Sequence, residues 1–256
     1  MKDMALKPSA CKGVKFNTLT RPELHEMEND FLAPLFLSLR VAVLATALAF
    51  IFGIVLAWLF SRKSFWGKEI IETIFTIPLV LPPTVIGFGL LLIIGKHGPL
   101  GKLSEIFFQR QIIFTWGAAV IAAAVVAFPL VYQNAKAALE SVDANQERAA
   151  RTLGAKETEV FFTVTFPLAW PGLAAGLILA FARALGEFGA TLMVAGNIPG
   201  KTQTIPMAIY FAVEAGDHKT ALFLTLIVFI FSFSLILGLN QWSKRKVKYF
   251  TAKGRN

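Results

Sequence analysis

The sequence predicts an all-α membrane protein, and three observations predict it. The 256 residues are 55% hydrophobic and only 16% charged, whereas soluble domains hold about 45–50% apolar and about 25% charged residues. Runs free of Asp, Glu, Lys and Arg recur along the chain, long enough to cross a hydrocarbon core that takes about 20 helical residues. These runs are continuous, where strands of a membrane barrel would alternate in segments of about ten residues. The composition excludes a disordered chain, which is poor in apolar residues. With Cys11 as the single cysteine, it also excludes a disulfide scaffold.

Four runs are charge-free: 41–61, 73–95, 111–135 and 220–243. Apolar residues before Arg40 extend the first to residue 36. A fifth segment, 171–195, is apolar or small apart from Arg183 and Glu187 near its middle. The expectation is five transmembrane helices (36–61, 73–95, 111–135, 171–195, 220–243) in a domain over 33–243. A polar tail, 1–32, precedes it and a basic tail, 244–256, follows. Lys and Arg mark cytoplasmic loops. Loops 61–69 and 136–170 with the C-terminal tail carry 13 of the 25 basic residues, and the opposite loops carry 5. The C-terminus is therefore expected in the cytoplasm and the N-terminus outside. The +9 net charge thus reads as topology, with no nucleic-acid partner. Residues 1–32 lack the apolar core of a signal peptide, and Ser9-Ala10-Cys11 makes no lipidation site without one. The tail is expected to be disordered, with Met27 as an alternative start.

The 136–170 loop is too long for a simple turn. Asp143 followed by Gln146 reads as an N-cap with a reciprocal partner, opening a helix over 144–153. Gly154 sits where a left-handed residue ends a helix, and a second helical stretch, 157–166, stops at Pro167. Ala149, Ala150 and Gly154 let another surface approach, and Glu147, Arg148 and Arg151 can pair with it. A docking knob and an amphipathic helix lying on the membrane both fit these residues.

The run Glu147-Arg148-Ala149-Ala150-Arg151-Thr152-Leu153-Gly154-Ala155, with Val164-Thr165-Phe166-Pro167, resembles the EAA loop of binding-protein-dependent ABC importer permeases. The glycine and proline keep that pattern's spacing. Arg148 occupies the glutamate position, with Glu147 displaced by one residue. The resemblance implies a type I ABC importer transmembrane domain in which this loop is a cytoplasmic coupling helix. Glu147, Arg148, Ala149, Ala150, Arg151, Gly154, Ala155, Phe166 and Pro167 would then form its interface with an ATPase subunit. Two further runs, 183–191 and 196–206, resemble molybdate-type permeases, with sulfate permeases as close relatives; the likeness covers about 33–245. It implies a homodimer with two cytoplasmic ATPase subunits and an extracytoplasmic molybdate-binding protein, importing by alternating access across a bacterial or archaeal cytoplasmic membrane. No cofactor is implied.

Arg183 and Glu187, four residues apart, can pair on one helix face. A mid-bilayer charge costs on the order of 3 kcal/mol, so the pair either fixes helix packing or lines an anion pathway. Pro78, Pro82 and Pro83 interrupt the second span. Gly87 and Gly89 permit close packing beyond the bend. Pro82, Pro83, Arg183, Gly186, Glu187 and Gly189 are therefore the candidate pathway or gate residues. Arg40 is expected to snorkel to the outer interface, and 205–213 to dip back toward the membrane. The Gly95-Lys96 pair lacks the remainder of a phosphate-binding loop, and His25, His97 and His218 lack ligand-spaced companions. The chain is not expected to be an enzyme or to hold a metal, and the resemblance puts ATP hydrolysis in a separate subunit. A sulfate, thiosulfate or tungstate permease is the neighbouring alternative. An ion-driven carrier would show inverted repeats, and none is seen; a non-transporting scaffold would need no ATPase. Replacement of Arg183 by Ala is expected to abolish anion uptake while assembly persists, and wild-type uptake by that variant would refute the pathway reading.

Overall fold

The computed structural model describes residues 21–109 and 111–253. In hydrocarbon a backbone must satisfy its own hydrogen bonds, and every regular element among the described residues is helical. These are α1 (Arg21–Arg62), α2 (Lys68–Thr76), α3 (Pro83–Ile94), α4 (Pro99–Phe108), α5 (Trp116–Glu140) and α6 (Ala144–Thr152). Then come α7 (Glu157–Val160), α8 (Phe166–Leu185), α9 (Gly189–Ala195), α10 (Ile205–Glu214) and α11 (His218–Lys253). A 3-10 turn, Ile77–Leu79, follows α2, and a π turn, Phe161–Thr165, joins α7 to α8.

Four stretches are long and apolar enough to cross a membrane: Leu32–Arg62, Trp116–Glu140, Glu157–Leu185 and His218–Gly238. A fifth crossing requires Lys68–Leu79 and Pro83–Ile94 to act together, and these meet at a bend of 114°. The second span is therefore broken rather than gently kinked. Pro82 is extended (φ −55°, ψ 137°) and Pro83 starts α3, so two adjacent missing N–H donors coincide with the break.

Other boundaries move for local reasons. The third span begins at Trp116 because Thr115 caps it, its Oγ accepting from Ala118 N at 3.2 Å and donating to Ile112 O at 2.6 Å. Pro167 does not stop the second helical stretch. The wide π turn precedes it and Pro167 falls in the first turn of α8, where a missing N–H is tolerated. The fourth span accordingly runs from Glu157 to Leu185, ten residues short of the expected limit, with Gly186 as its C-cap. Among the described residues, α1 includes 21–32 and α11 includes 244–253, so helix takes in part of each tail. The expected disorder of residues 1–20 lies outside the described residues.

Helix α5 is the centre. Its Ala118, Ala119, Ala122, Ala123 and Ala127 are buried in one cluster with Ala42, Ala45 and Ala49 of α1 and Ala180 and Ala184 of α8. Lipid is as apolar as leucine, so membrane helices associate through close packing of small residues. Towards the α6 end, Phe60, Tyr132, Leu139, Ala169 and Leu173 form a second cluster. Phe36, Ile51, Phe52, Phe229 and Ile230 face outward.

Beyond its break, α3 lies against α9. A Cβ on Gly87 would sit 2.8 Å from Ala190 Cα and 2.8 Å from Met193 Cβ, whereas one on Gly89 meets nothing within 4 Å. Only the first of the two glycines is needed for close approach. Gly87→Val is expected to destabilise the protein by about 1–3 kcal/mol, read as a lowered Tm in detergent, with Gly89→Ala near wild type.

Candidate functional site

The loop between the third and fourth spans folds as two capped helices. Asp143 Oδ1 accepts from Asn145 N at 2.9 Å and so opens α6. Gln146 bonds through its backbone N–H, to Asp143 O at 3.0 Å. The reciprocal side-chain bond expected at Gln146 occurs instead at the start of α7, where Lys156 N donates to Glu159 Oε2 at 2.8 Å. Gly154, at φ +90°, makes the left-handed turn between the helices, a conformation that disfavours any Cβ.

Four charged side chains then close a ring. Arg62, the last residue of α1, donates to Glu147 Oε1 and to Glu157 Oε2, each at 2.6 Å. Arg151 donates to Glu157 Oε1 at 2.6 Å and to Glu147 Oε2 at 3.3 Å. The Glu157 carboxylate, its strongest partner, raises the Arg151 pKa further above the guanidinium range. Thr165, buried at the base of α8, donates its hydroxyl to Glu147 Oε1 at 2.5 Å. Arg62 also lies 5.6 Å from the centroid of the Trp58 ring.

This geometry divides the residues singled out in the loop. Glu147, with a side chain 16% exposed, and Arg151 point into the ring and not away from the bundle. Arg148, Ala149 and Gly154 are exposed, while Ala150 and Ala155 are half-buried. Phe166 packs on Trp170 and Phe161, with centroids 5.5 and 6.0 Å apart, and Pro167 stands exposed beside it in the first turn of α8. Sequence reasoning missed Arg62, Glu157 and Thr165, which reach the loop's charges only through the fold. It also missed Leu153, an apolar side chain 89% exposed at the end of α6. Its place beside the glycine turn was the signal available.

The second candidate group assembles at the far end of α8. Arg183 Nη1 donates to Glu187 Oε2 at 2.7 Å, and Ala190 N donates to Glu187 Oε1 at 2.8 Å. The pair does not lie on one continuous helix. Gly186 ends α8, so Glu187 stands in the break and ties the last turn of α8 to the first turn of α9. Its side chain is 1% exposed and that of Arg183 is 32%. A Cβ on Gly189 would lie 3.1 Å from Pro83 Cβ and 3.4 Å from Thr84, so Gly189 and Pro83 meet where α3 passes α9, while Glu187 and Gly186 stand in the break just before it. A carboxylate with both oxygens engaged beside a partly open guanidinium can present positive charge to an anion.

Arg40 stacks 4.0 Å from the centroid of Trp116 at the start of α5, a cation–π contact in place of free snorkelling. Thr202 closes the 196–204 loop, its Oγ accepting from Ile198 N at 3.0 Å and donating to Gly196 O at 2.9 Å. Ser38 Oγ of α1 accepts from Ile205 N at 2.7 Å and thereby holds α10 to the bundle.

Several helices long and apolar enough to cross a membrane, with a sharply bent helix pair and a braced helical loop, fit a multi-pass membrane subunit. The chain belongs to the family of binding-protein-dependent transport system inner membrane components, whose model matches residues 49–249. The molybdenum transport system permease protein ModB of Haemophilus influenzae is 44% identical over 221 residues, covering 85% of this chain and 95% of that protein. ModB of Escherichia coli K12 is 44% identical over 209 residues, 82% of this chain and 91% of its own. Among solved structures, a bacterial ABC transporter importing alginate superposes with TM-score 0.68 at 15% identity, over 90% of this chain and 85% of that one. That likeness concerns the fold alone.

Glu187 is the most buried charge of the second group, and its loss leaves the buried Ala190 N–H without its acceptor. Glu187→Ala is therefore expected to destabilise the protein by about 1–3 kcal/mol. Thermal unfolding in detergent measures this, and an unchanged Tm would show that the bridge is dispensable.

Proposed function

We propose that this chain is the membrane-spanning subunit of an ATP-driven importer of molybdate. The observation that carries this is its 44% identity to two ModB permeases, each covered over more than 90% of its length. In this reading two copies pair and two ATPase subunits sit against the α6–α7 loops, where all ATP hydrolysis takes place. A molybdate-loaded binding protein docks at the opposite end. The excess of Lys and Arg in loops 61–69 and 136–170 and the C-terminal tail supports a cytoplasmic C-terminus and an external N-terminus.

ATP closes the ATPase pair and draws the two α6 helices together, opening the bundle outward. An oxyanion then leaves the binding protein for a path flanked by the α3–α9 seam, and hydrolysis restores the inward-open state. Arg183 supplies positive potential there, while Glu187 is neutralised and held. Arg148, Ala149 and Leu153 form the exposed part of the docking helix, with Ala150 and Ala155 beneath it.

Sulfate is the second reading, because the sulfate transport system permease CysW of Synechocystis is 36% identical over 193 residues. Reconstitution with candidate ATPase and binding-protein subunits in liposomes separates the two. Molybdate-loaded binding protein is expected to stimulate ATP hydrolysis and uptake several-fold over the unloaded protein. Stimulation by the sulfate-loaded form alone would overturn the substrate assignment, and failure to bind any ATPase would overturn the importer assignment.

A further inference from the structure

A docking helix performs work only if its displacement reaches the membrane helices. The turn between α6 and α7, from Leu153 to Lys156, contains Gly154 at φ +90° with open space around it. Its backbone bonds, Gly154 N to Arg151 O at 3.0 Å and Ala155 N to Ala150 O at 3.2 Å, return only to α6. The ring of Arg62, Glu147, Arg151 and Glu157 ties α6 to its neighbours through side chains. Each guanidinium bridges both carboxylates, so the ring is internally neutral and closed. Its four members come from three elements: α1, α6 and α7. Thr165 adds a fourth element by holding Glu147 to the foot of α8.

We propose that Arg62 is a positioning residue for energy coupling. It locks α6 to the ends of α1 and α8, so that movement of the docking helix is delivered to both as a rigid push. Glu147 is then an internal strut and not a contact for the ATPase subunit. The inference rests on the importer reading above.

The chemistry favours arginine at residue 62. One planar fork reaches two carboxylates at 2.6 Å each, whereas a lysine ammonium is a point charge on a flexible stem. The Trp58 face beneath the guanidinium adds a contact that glutamine cannot supply. The Arg151 and Glu157 side chains are 36% and 56% exposed, so water screens that side of the ring. Its contribution is therefore mainly geometry, since exposed ion pairs add little to stability.

The test uses the full complex of permease, ATPase and binding protein in liposomes, reading molybdate transported per ATP hydrolysed. The R62Q complex is expected to retain its ATPase subunits on co-purification. Its transport-to-hydrolysis ratio is expected to fall by about fivefold or more, the range of ordinary coupling energies. E147Q should lower the ratio comparably, and R62Q/E147Q no further, because both act through one strut. R62K keeps one charge-assisted bond and should fall between R62Q and wild type, which also serves if R62Q folds poorly. A wild-type ratio in R62Q or R62K, or loss of the ATPase in E147Q with normal coupling in R62Q, would overturn this proposal while leaving the importer reading intact. A wild-type complex that neither binds the ATPase nor transports would overturn both.

Discussion

Everything in this chain depends on how closely α5 lets its neighbours approach. Lipid offers no hydrophobic gain for helix association, so contact must come from packing at short range. The alanines of α5 meet those of α1 and α8 with almost no exposure, Ala45, Ala122 and Ala180 all at 0%. Larger side chains along that seam would push the three helices apart and separate the residues their ends bring together. Many large apolar residues instead lie outside, as Phe36, Ile51 and Phe229 do, while Tyr132 and Leu173 fill the second cluster.

Two departures from continuous helix are packed against protein. At the Pro82–Pro83 break the chain turns through 114° and re-forms as α3 against α9, with Gly87 and Gly189 giving the room. At the end of α8 the Glu187 carboxylate takes up Ala190 N. The two breaks face one another, so irregular backbone at membrane depth is packed against protein, as the bilayer requires.

Much of this was legible in the sequence, for reasons that are local. A charge-free run reports a membrane helix because the bilayer imposes length and polarity on each segment separately. Asp143, Gly154 and the Pro82–Pro83 pair announce a cap, a left-handed turn and a break from their own chemistry. The spacing of Arg183 and Glu187 announced a pair, although the stop at Gly186 and the bond to Ala190 did not follow from it. Arg62 was out of reach. It lies 85 residues before Glu147 and 103 before Thr165, and read alone it is one more basic residue at a membrane end. Glu147 looked like a surface charge because helix periodicity says which residues share a face, but not which face turns inward.

The π turn at 161–165 sets the phase of α8. One residue beyond the α-helical repeat rotates a helix by about 100°, and here that slip falls wholly before Phe166. From Phe166 onward the helix is α-helical to Leu185, with Pro171 inside it. Thr165 and Arg183 are 18 residues apart in the sequence, about five full turns and about 27 Å of rise. The side chain gripped by Glu147 and the side chain gripped by Glu187 therefore stand at the two ends of a single rod, with the angular adjustment made at its lower clamp.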